Sequence, residues 1–316
     1  MQKKTVFIAG LIALMAASSA FAHIPEGRVF GAWQWPTGNL PTLDGDISEW
    51  EVIPEELWLT IDDPDIIVGE GDVGRPKDRS DIFFRFAMAW NDELDRMYYV
   101  FDRFDDVWDR DGGGIGCCGQ DDSIEIGLDA DHTGGWFHAG GAGVAADLTE
   151  EEVKLYNGGQ TQTSHYRWPP LPPFGWSWFW MSDSDWHGTE PNQCCEDSFN
   201  LEGSHGTESN FQAEWYTIGW DEFNWQGADL SSQHDFVELE IIGAGLQVVD
   251  NDNGPEDAEE NTPWTAKWSL GGQSDVFGNA SSFADFVLLP VDDSVTMAPS
   301  AVENNSWGQI KASFGE

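Results

Sequence analysis

The sequence predicts an all-β protein, a two-sheet jelly-roll-like sandwich with long acidic and Trp/Pro-rich loops. Short alternating or β-rich runs recur along the chain, and Gly, Asp, Asn and Pro separate them. Few stretches combine a helical period with caps, and the spacing of the runs suits a sandwich. A chain of 316 residues is long enough to bury a full core as one such domain.

The predicted strands are runs of apolar, β-branched or aromatic residues bounded by turn residues. They are Leu57–Ile61, Asp81–Trp90, Met97–Phe101, Ser123–Leu128, Trp176–Met181, Phe211–Trp220, Phe236–Ile242, Thr265–Leu270 and Phe283–Leu289. One short helix is predicted over Leu148–Leu155, because its acidic first turn suits the positive end of a helix dipole. The three long loops are Asp102–Gln120, Asn157–Phe174, which its prolines should stiffen, and Val249–Pro263.

The first 22 residues have the form of a secretory signal peptide. Lys3 and Lys4 precede an apolar stretch, which ends in the small-x-small sequence Ala20-Phe21-Ala22. The stretch is too short for a membrane span, and no later segment approaches one. We therefore expect a secreted, periplasmic or cell-surface protein that starts at His23, with a retained N-terminal anchor as the alternative.

Residues 23–290 are expected to form the sandwich domain, and residues 291–316 a separate polar tail. The tail resembles short C-terminal tails of other exported bacterial proteins, which implies a sorting or attachment segment. A frayed chain end explains the same residues.

Four cysteines form two adjacent pairs, Cys117-Cys118 and Cys194-Cys195. Neighbouring cysteines bridge each other only through a strained ring, so two disulfides that join the pairs are the preferred interpretation in an oxidising compartment. Metal binding by the four thiolates is the alternative, although the spacing is not that of a zinc knuckle.

Acidic residues outnumber basic ones by 57 to 14, which gives a formal net charge of −43. Nucleic acids and anionic membranes are poor partners for such a surface. Compact folding at this charge involves self-repulsion, which salt or bound cations relieve. A solvated acidic surface that favours solubility accounts for the same composition.

Two sequence segments carry a family resemblance. The first, Leu43-Asp44-Gly45-Asp46-Ile47 followed by Trp50, has the form of an opening turn. The second, Asp122-Ser123-Ile124-Glu125-Ile126-Gly127-Leu128-Asp129, has that of a central strand. Together with the hairpin around Asn91-Asp92-Glu93 and the last strand at Ala284–Leu289, they resemble family 9 carbohydrate-binding modules and their DOMON-like relatives. The resemblance implies a β-sandwich that binds sugar.

Tryptophan is abundant, with 18 residues, and it is concentrated near the middle of the chain. A pyranose ring stacks on an indole face while its hydroxyls need polar partners, so clustered tryptophans favour a sugar site. On a strand, alternate tryptophans project to one face, although a buried sandwich core explains them equally well. The candidate carbohydrate-binding residues are Trp176, Trp178, Trp180 and Trp186, followed by Trp108 and Trp136.

An acidic loop follows the Met97–Phe101 strand. Calcium takes six to eight oxygen ligands, and a flexible carboxylate-rich loop can supply them. The order of an EF-hand is absent, and a solvated loop is the alternative. The candidate calcium ligands are Asp102, Asp105, Asp106, Asp109 and Asp111.

These features favour a non-catalytic carbohydrate-binding protein, with polysaccharide or oligosaccharide as its partner. No G-x-S-x-G, H-E-x-x-H or C-x-x-C-H sequence is present. One alternative is a cell-surface structural protein that self-assembles. Another is a polysaccharide-active enzyme, either a glycosidase or a copper oxidase that uses His23 with a second histidine. A haem carrier is a further alternative, with Met88 or Met97 as a ligand. The candidate partners of His23 are His132, His138, His165 and His187.

Overall fold

The computed structural model describes residues 24–69, 74–109, 122–158, 162–171, 174–179, 186, 195–252, 266–272, 276 and 278–292. At 158, 162–171, 174–179 and 195 it describes the backbone alone. The predicted signal peptide, Cys117, Cys118, Cys194 and the tail beyond residue 292 lie outside the described residues.

The described residues form fifteen strands. They are β1 (Val29–Gln34), β2 (Leu59–Thr60), β3 (Ile66–Val68), β4 (Ile82–Asn91), β5 (Arg96–Asp105), β6 (Ser123–Asp129), β7 (Gln162–Leu171), β8 (Phe174–Phe179), β9 (Cys195–Glu202), β10 (Ser209–Ile218), β11 (Trp220–Glu222), β12 (Ser232–Gln233), β13 (Ile241–Asp250), β14 (Ala266–Leu270) and β15 (Ala284–Leu288).

The strands form two layers that share β1. Sheet 1 runs β8-β7-β6-β13-β15-β1, with β14 beside β13 and β3 beside β14. Sheet 2 runs β1-β4-β5-β10-β9, with β2 beside β4, and β11 pairs with β12 separately. The first four residues of β1 pair in parallel with β15, and Trp33 and Gln34 then pair in parallel with β4. A strand that changes sheets in this way forms a corner of a sandwich.

The main core lies between the two sheets. Alternate side chains of β4, β5 and β10 from sheet 2 and of β6, β13, β14 and β15 from sheet 1 form one buried cluster. The aromatic rings dominate it: Tyr99 stacks on Trp215 at 5.2 Å, and Trp268 is 1% exposed. Burial of such large apolar surfaces is the main source of the fold's stability.

The other face of sheet 2 is also covered. Residues 37–57, in three short 3₁₀ turns, pack on this face and form a second buried cluster. Trp35 and Trp50 meet edge to face at 5.4 Å in this cluster. Because both faces of sheet 2 are buried at β4 and β5, the sequences of these strands are nearly continuous apolar runs and do not alternate between apolar and polar residues.

The predicted all-β sandwich is confirmed, and most predicted strands match observed ones within a few residues. The prediction for Phe236–Ile242 is wrong over most of its length, because the chain turns there. Glu240 N donates to Val237 O at 3.2 Å, Leu239 has a φ of 65°, and the strand begins at Ile241. Val237 is 48% exposed, so the apolar alternation of this segment does not mark a buried strand face.

The predicted loop Asn157–Phe174 contains a strand, β7. Pairing of β7 with β6 ends at Arg167, and its pairing with β8 is interrupted between Tyr166 and Leu171. Pro169 and Pro170 fall in this interruption, where their missing N–H groups cost no ladder hydrogen bond. The prolines suggested a loop, but they mark the end of a strand.

The predicted helix is present as α1 (Glu150–Gly158). Thr149 and Glu152 form a capping box: Thr149 Oγ1 accepts from Glu152 N at 3.3 Å, and Glu152 Oε2 accepts from Thr149 N at 2.8 Å. Over the described part of the chain, no helix is both long and apolar enough to cross a membrane.

Candidate functional site

The opening turn at Leu43–Trp50 is held by one buried carboxylate. Glu214 of β10 is fully buried, and its Oε1 accepts from Asp44 N at 2.8 Å and Gly45 N at 2.9 Å, while its Oε2 accepts from Trp50 Nε1 at 3.0 Å. Burial raises the pKa of Glu214 to about 7, although these three hydrogen bonds lower it. The turn that carries the family resemblance therefore stabilises the fold here.

Gly45 is needed where this turn crosses β9. Its φ is +86°, and a Cβ at this position would lie 2.6 Å from the carbonyl carbon of Phe199. Only glycine accepts both the left-handed backbone and so close an approach.

The two ends of the central strand β6 carry buried carboxylates. At its C-terminal end, Asp129 accepts from Gly134 N at 2.8 Å and from Thr133 N at 3.3 Å, closing the turn that follows. Burial raises the pKa of Asp129 to about 7, and the adjacent Asp131 adds to the effect. Asp122, just before the strand, belongs to a larger group of charges.

That group, the acidic cluster, lies where one end of the sandwich closes. Arg103 of β5 projects between the sheets and is 3% exposed. Its guanidinium contacts Asp105, donates to Asp122 Oδ1 at 2.8 Å, to Asp250 Oδ1 at 3.3 Å and to Val249 O at 3.1 Å. Arg103 thus joins sheet 2 to β13 of sheet 1. The acidic cluster comprises Asp81, Asp105, Asp106, Asp109, Asp122, Asp250 and Asp252, with Arg75 and Arg103.

The acidic cluster contains more carboxylates than guanidinium groups, seven against two. Arg75 contacts Asp250 and Asp252 and lies 3.3 Å from Asp81 Oδ2. Burial, together with the neighbouring carboxylates Asp105 and Asp252, raises the pKa of Asp250 to about 7 against the opposing effect of the arginines. Burial likewise raises the pKa of Asp122. Negative charge is therefore costly here unless a further cation is present.

Two triads of the acidic cluster bring carboxylate oxygens within 4.8 Å of one another, and both include Asp252. A set of carboxylate oxygens is the donor type that calcium prefers. Of the predicted calcium ligands, Asp105, Asp106 and Asp109 lie in this cluster, while Asp111 is outside the described residues. The triads are Asp81, Asp106 and Asp252, and Asp105, Asp250 and Asp252.

The remaining predicted calcium ligand, Asp102, lies on the opposite face of β5. Its Oδ2 accepts from Arg85 Nε at 2.8 Å, and its Oδ1 accepts from Gln212 Nε2 at 3.3 Å. Asp81, Asp250 and Asp252 were not among the calcium ligands predicted from the sequence. The sequence Asp250-Asn251-Asp252 directly after an apolar strand is the signal that points to two of them.

The described tryptophans divide into core and surface residues. Trp108 is 5% exposed and packs in the main core, which leaves little of its ring for a ligand. Trp136 is half-buried in a loop with its ring 5.6 Å from His138. Trp186 stacks on Phe223 at 5.1 Å and meets Trp220 edge to face. Trp176 and Trp178 lie on β8, described by its backbone alone, and Trp180 lies outside the described residues.

A surface pocket of about 250 Å³ adjoins α1. Its lining residues are Glu150, Glu151, Lys154 and Trp225. The Lys154 ammonium lies 4.8 Å from the centre of the Trp225 ring, and Gln226 Nε2 donates to Glu151 Oε1 at 3.0 Å. The pocket thus combines one indole ring with two carboxylates and an ammonium. The sequence does not predict this pocket, because Trp225 stands apart from the dense tryptophan cluster and α1 is distant from Trp225 in sequence.

The loop that carries Trp225 is fixed by hydrogen bonds. Asn224 N donates to Ser231 Oγ at 2.9 Å, and Gln226 N donates to Asn224 Oδ1 at 2.9 Å. Trp186 Nε1 donates to Asn224 O at 3.1 Å, which connects the loop to the aromatic group of Trp186 and Phe223. The pocket therefore has a preformed wall.

Most of the histidines and methionines that a copper enzyme or a haem carrier would use as ligands lie within the described residues. His132 Nε2 lies 3.0 Å from Asp285 Oδ1, and His138 packs against Trp136. Met88 and Met97 are both buried in the main core. His23 and His187 lie outside the described residues, and His165 is described by its backbone alone.

No family model matches the chain, and no curated protein matches its sequence. Among solved structures, the chain is similar to a carbohydrate binding module family 9 from Caldicellulosiruptor kristjanssonii in complex with cellotriose. The identity is 12%, the match covers 86% of this chain and 98% of that one, and the TM-score is 0.49. It is also similar to such a module from the same organism in complex with glucose, at 12% identity, 85% and 99% coverage and a TM-score of 0.48.

Proposed function

We propose that this protein binds carbohydrate without transforming it and that sugar rings stack on its tryptophans. The observation that carries the proposal is the pocket beside α1, where Trp225 stands among Glu150, Glu151 and Lys154. A pyranose needs an aromatic surface for its C–H face and charged or polar groups for its hydroxyls. Both are present in this pocket, on the helix and on a fixed loop.

The tryptophans that the sequence singled out remain further candidates for sugar contacts in this proposal. Trp186 belongs to the aromatic group that supports the Trp225 loop. Trp176 and Trp178 lie two residues apart on β8, as a strip on one strand face requires. Trp180, Trp136 and Trp108 complete the set of candidates, of which the buried Trp108 has the least ring surface to offer.

The proposal also places the protein outside the cytoplasm. Residues 1–22 support export, and the two cysteine pairs support disulfides in an oxidising compartment. The tail at 291–316 is proposed as a sorting or attachment segment.

A pull-down on a panel of insoluble polysaccharides tests the binding function. We expect at least one polymer to retain residues 23–316, with retention reduced in Trp225→Ala and in Trp176→Ala or Trp178→Ala. Trp58→Ala is the matched control, because Trp58 is also half-buried and carries a cation, Arg85, 4.5 Å from its ring centre. No retention on any polymer would reject the function, and large species in light scattering would then favour a structural assembly protein.

We also propose that calcium stabilises the fold through the acidic cluster. The support is its donor set: two triads of close carboxylates at one end of the sandwich, in a group where burial disfavours uncompensated negative charge. Calcium would compensate that charge.

Thermal unfolding tests the calcium proposal. We expect the Tm of the protein to be several degrees higher in excess calcium than in chelator, because a ligand that binds only the folded state stabilises it. The shift should shrink in Asp252→Asn, which alters both triads, and persist in Asp102→Asn, which alters neither. Equal shifts in both variants, or no shift in the unaltered protein, would reject the site.

A further inference from the structure

We propose that the pocket beside α1 selects sugars that carry a protonated amine, as in a polyglucosamine. This inference rests on the proposed carbohydrate-binding function and names its ligand class. It is drawn from the way in which the pocket already holds an ammonium group of the protein itself.

Lys154 acts as a tethered cationic ligand. Its Nζ lies 4.8 Å from the centre of the Trp225 ring and 3.6 Å from Glu150 Oε1. An ammonium over an aromatic face is attracted by the negative potential of the ring, and a carboxylate at the edge adds an ion pair. The geometry is that of a small cation site formed by an indole and an acid.

The acids of the pocket are placed for an external cation. The capping box of α1 uses Glu152, whereas the preceding Glu150 and Glu151 line the pocket. The Glu150 side chain is 89% exposed, whereas that of Lys154 is 24% exposed. A cation arriving from solvent therefore meets a carboxylate first. Gln226 Nε2 donates to Glu151 Oε1 and orients the second acid.

An amino sugar matches this arrangement better than a neutral or an acidic one. Its ring provides C–H groups for the indole, and its ammonium pairs with Glu150 or Glu151 while Lys154 swings away. The net charge of −43 adds a long-range attraction for a polycation and repels uronates and sulfated glycans.

Chitosan and chitin provide the test, because they differ in whether the sugar amine is free or acetylated. Beads of each are compared at mildly acidic pH and at several salt concentrations. We expect stronger retention on chitosan, about two- to fivefold weaker in the double variant Glu150→Gln/Glu151→Gln. Lys154→Ala should strengthen retention, because it removes the tethered competitor.

Bulk charge is controlled by a second double variant, Glu55→Gln/Glu56→Gln. These two glutamates are also adjacent, exposed and at the start of a helical turn, and the change in net charge is the same. Equal losses in both double variants, equal retention on chitin and chitosan, or weaker retention in Lys154→Ala would each overturn the inference. Retention on a neutral polymer without preference for chitosan would leave the proposed function intact, and no retention on any polymer would reject both.

Discussion

At the scale of single residues, Glu214 shows how a buried acid can organise a surface turn. The sequence resemblance pointed to Gly45 and Trp50, but it did not point to their partner on β10. Glu214 stands in an apolar run of β10, with Ala213 before it and Trp215 after it. An acid in a strand usually marks the solvated face. Nothing in the local sequence indicates that the 37–57 segment covers that face and donates three hydrogen bonds to it.

Substitution of Gly45 tests the close approach of this turn to β9. We expect Gly45→Ala to lower the free energy of unfolding by about 2 kcal/mol, because the added Cβ meets the backbone of Phe199 and the φ of +86° disfavours alanine. Gly38→Ala, where no atom lies within 4 Å of the added Cβ, is the control and should change little. Urea unfolding measures both, and equal effects would show that Gly45 is not constrained.

The pH dependence of stability tests the burial of Glu214. Its pKa in the folded protein is about 7 against 4.5 in the unfolded chain, so the folded state binds the proton more tightly. This group therefore contributes stability below pH 4.5 that is lost as the pH rises to 7, on the order of 2 kcal/mol.

The side chain at position 214 does not titrate in the variant Glu214→Gln. The free energy of unfolding of this variant should therefore lack the pH-dependent contribution of Glu214. The free energy of unfolding of the unaltered protein minus that of the variant should fall between pH 4.5 and 7. A difference that stays constant across this range would mean that Glu214 ionises normally.

At the scale of structural elements, the acidic cluster connects the two sheets at one end of the sandwich. Arg103 alternates with core residues along β5, following Tyr99 and Phe101, and so points inward. The alternation predicts this direction from the sequence. The partners Asp122 and Asp250 come from distant segments, and their convergence depends on the pairing of β6 with β13, which the sequence does not reveal.

Removal of the Arg103 charge tests this connection. We expect Arg103→Met to lower the free energy of unfolding by about 3–5 kcal/mol, because it leaves buried carboxylates without their counter-ion. Arg85→Met on the outer face of sheet 2, where the pairs with Glu51 and Asp102 are partly exposed, should cost no more than about 1 kcal/mol. Chemical unfolding compares the two variants, and similar losses would contradict the role given to Arg103.

At the scale of the whole molecule, the short β-rich runs and their spacing predicted the fold class, and the local sequence predicted only part of the candidate site. The strands with strong apolar patterns, such as β4 and β6, were found, whereas the proline-containing β7 and the polar β9 were not. The pocket joins Trp225 to a helix some seventy residues earlier, as the Gln226–Glu151 hydrogen bond shows with its separation of 75 residues. Such a contact is a product of the tertiary fold, so clusters along the chain do not reveal it.

Calorimetric titration of residues 23–316 with soluble oligosaccharides of the retained polymer is the most direct measurement of carbohydrate binding. We expect saturable binding with about one site at the α1 pocket, weakened about tenfold or more in Trp225→Ala because the stacked ring is lost. Trp58→Ala should bind like the unaltered protein. The absence of binding heat for every oligosaccharide, or an unchanged affinity in Trp225→Ala, would contradict a carbohydrate site in this pocket.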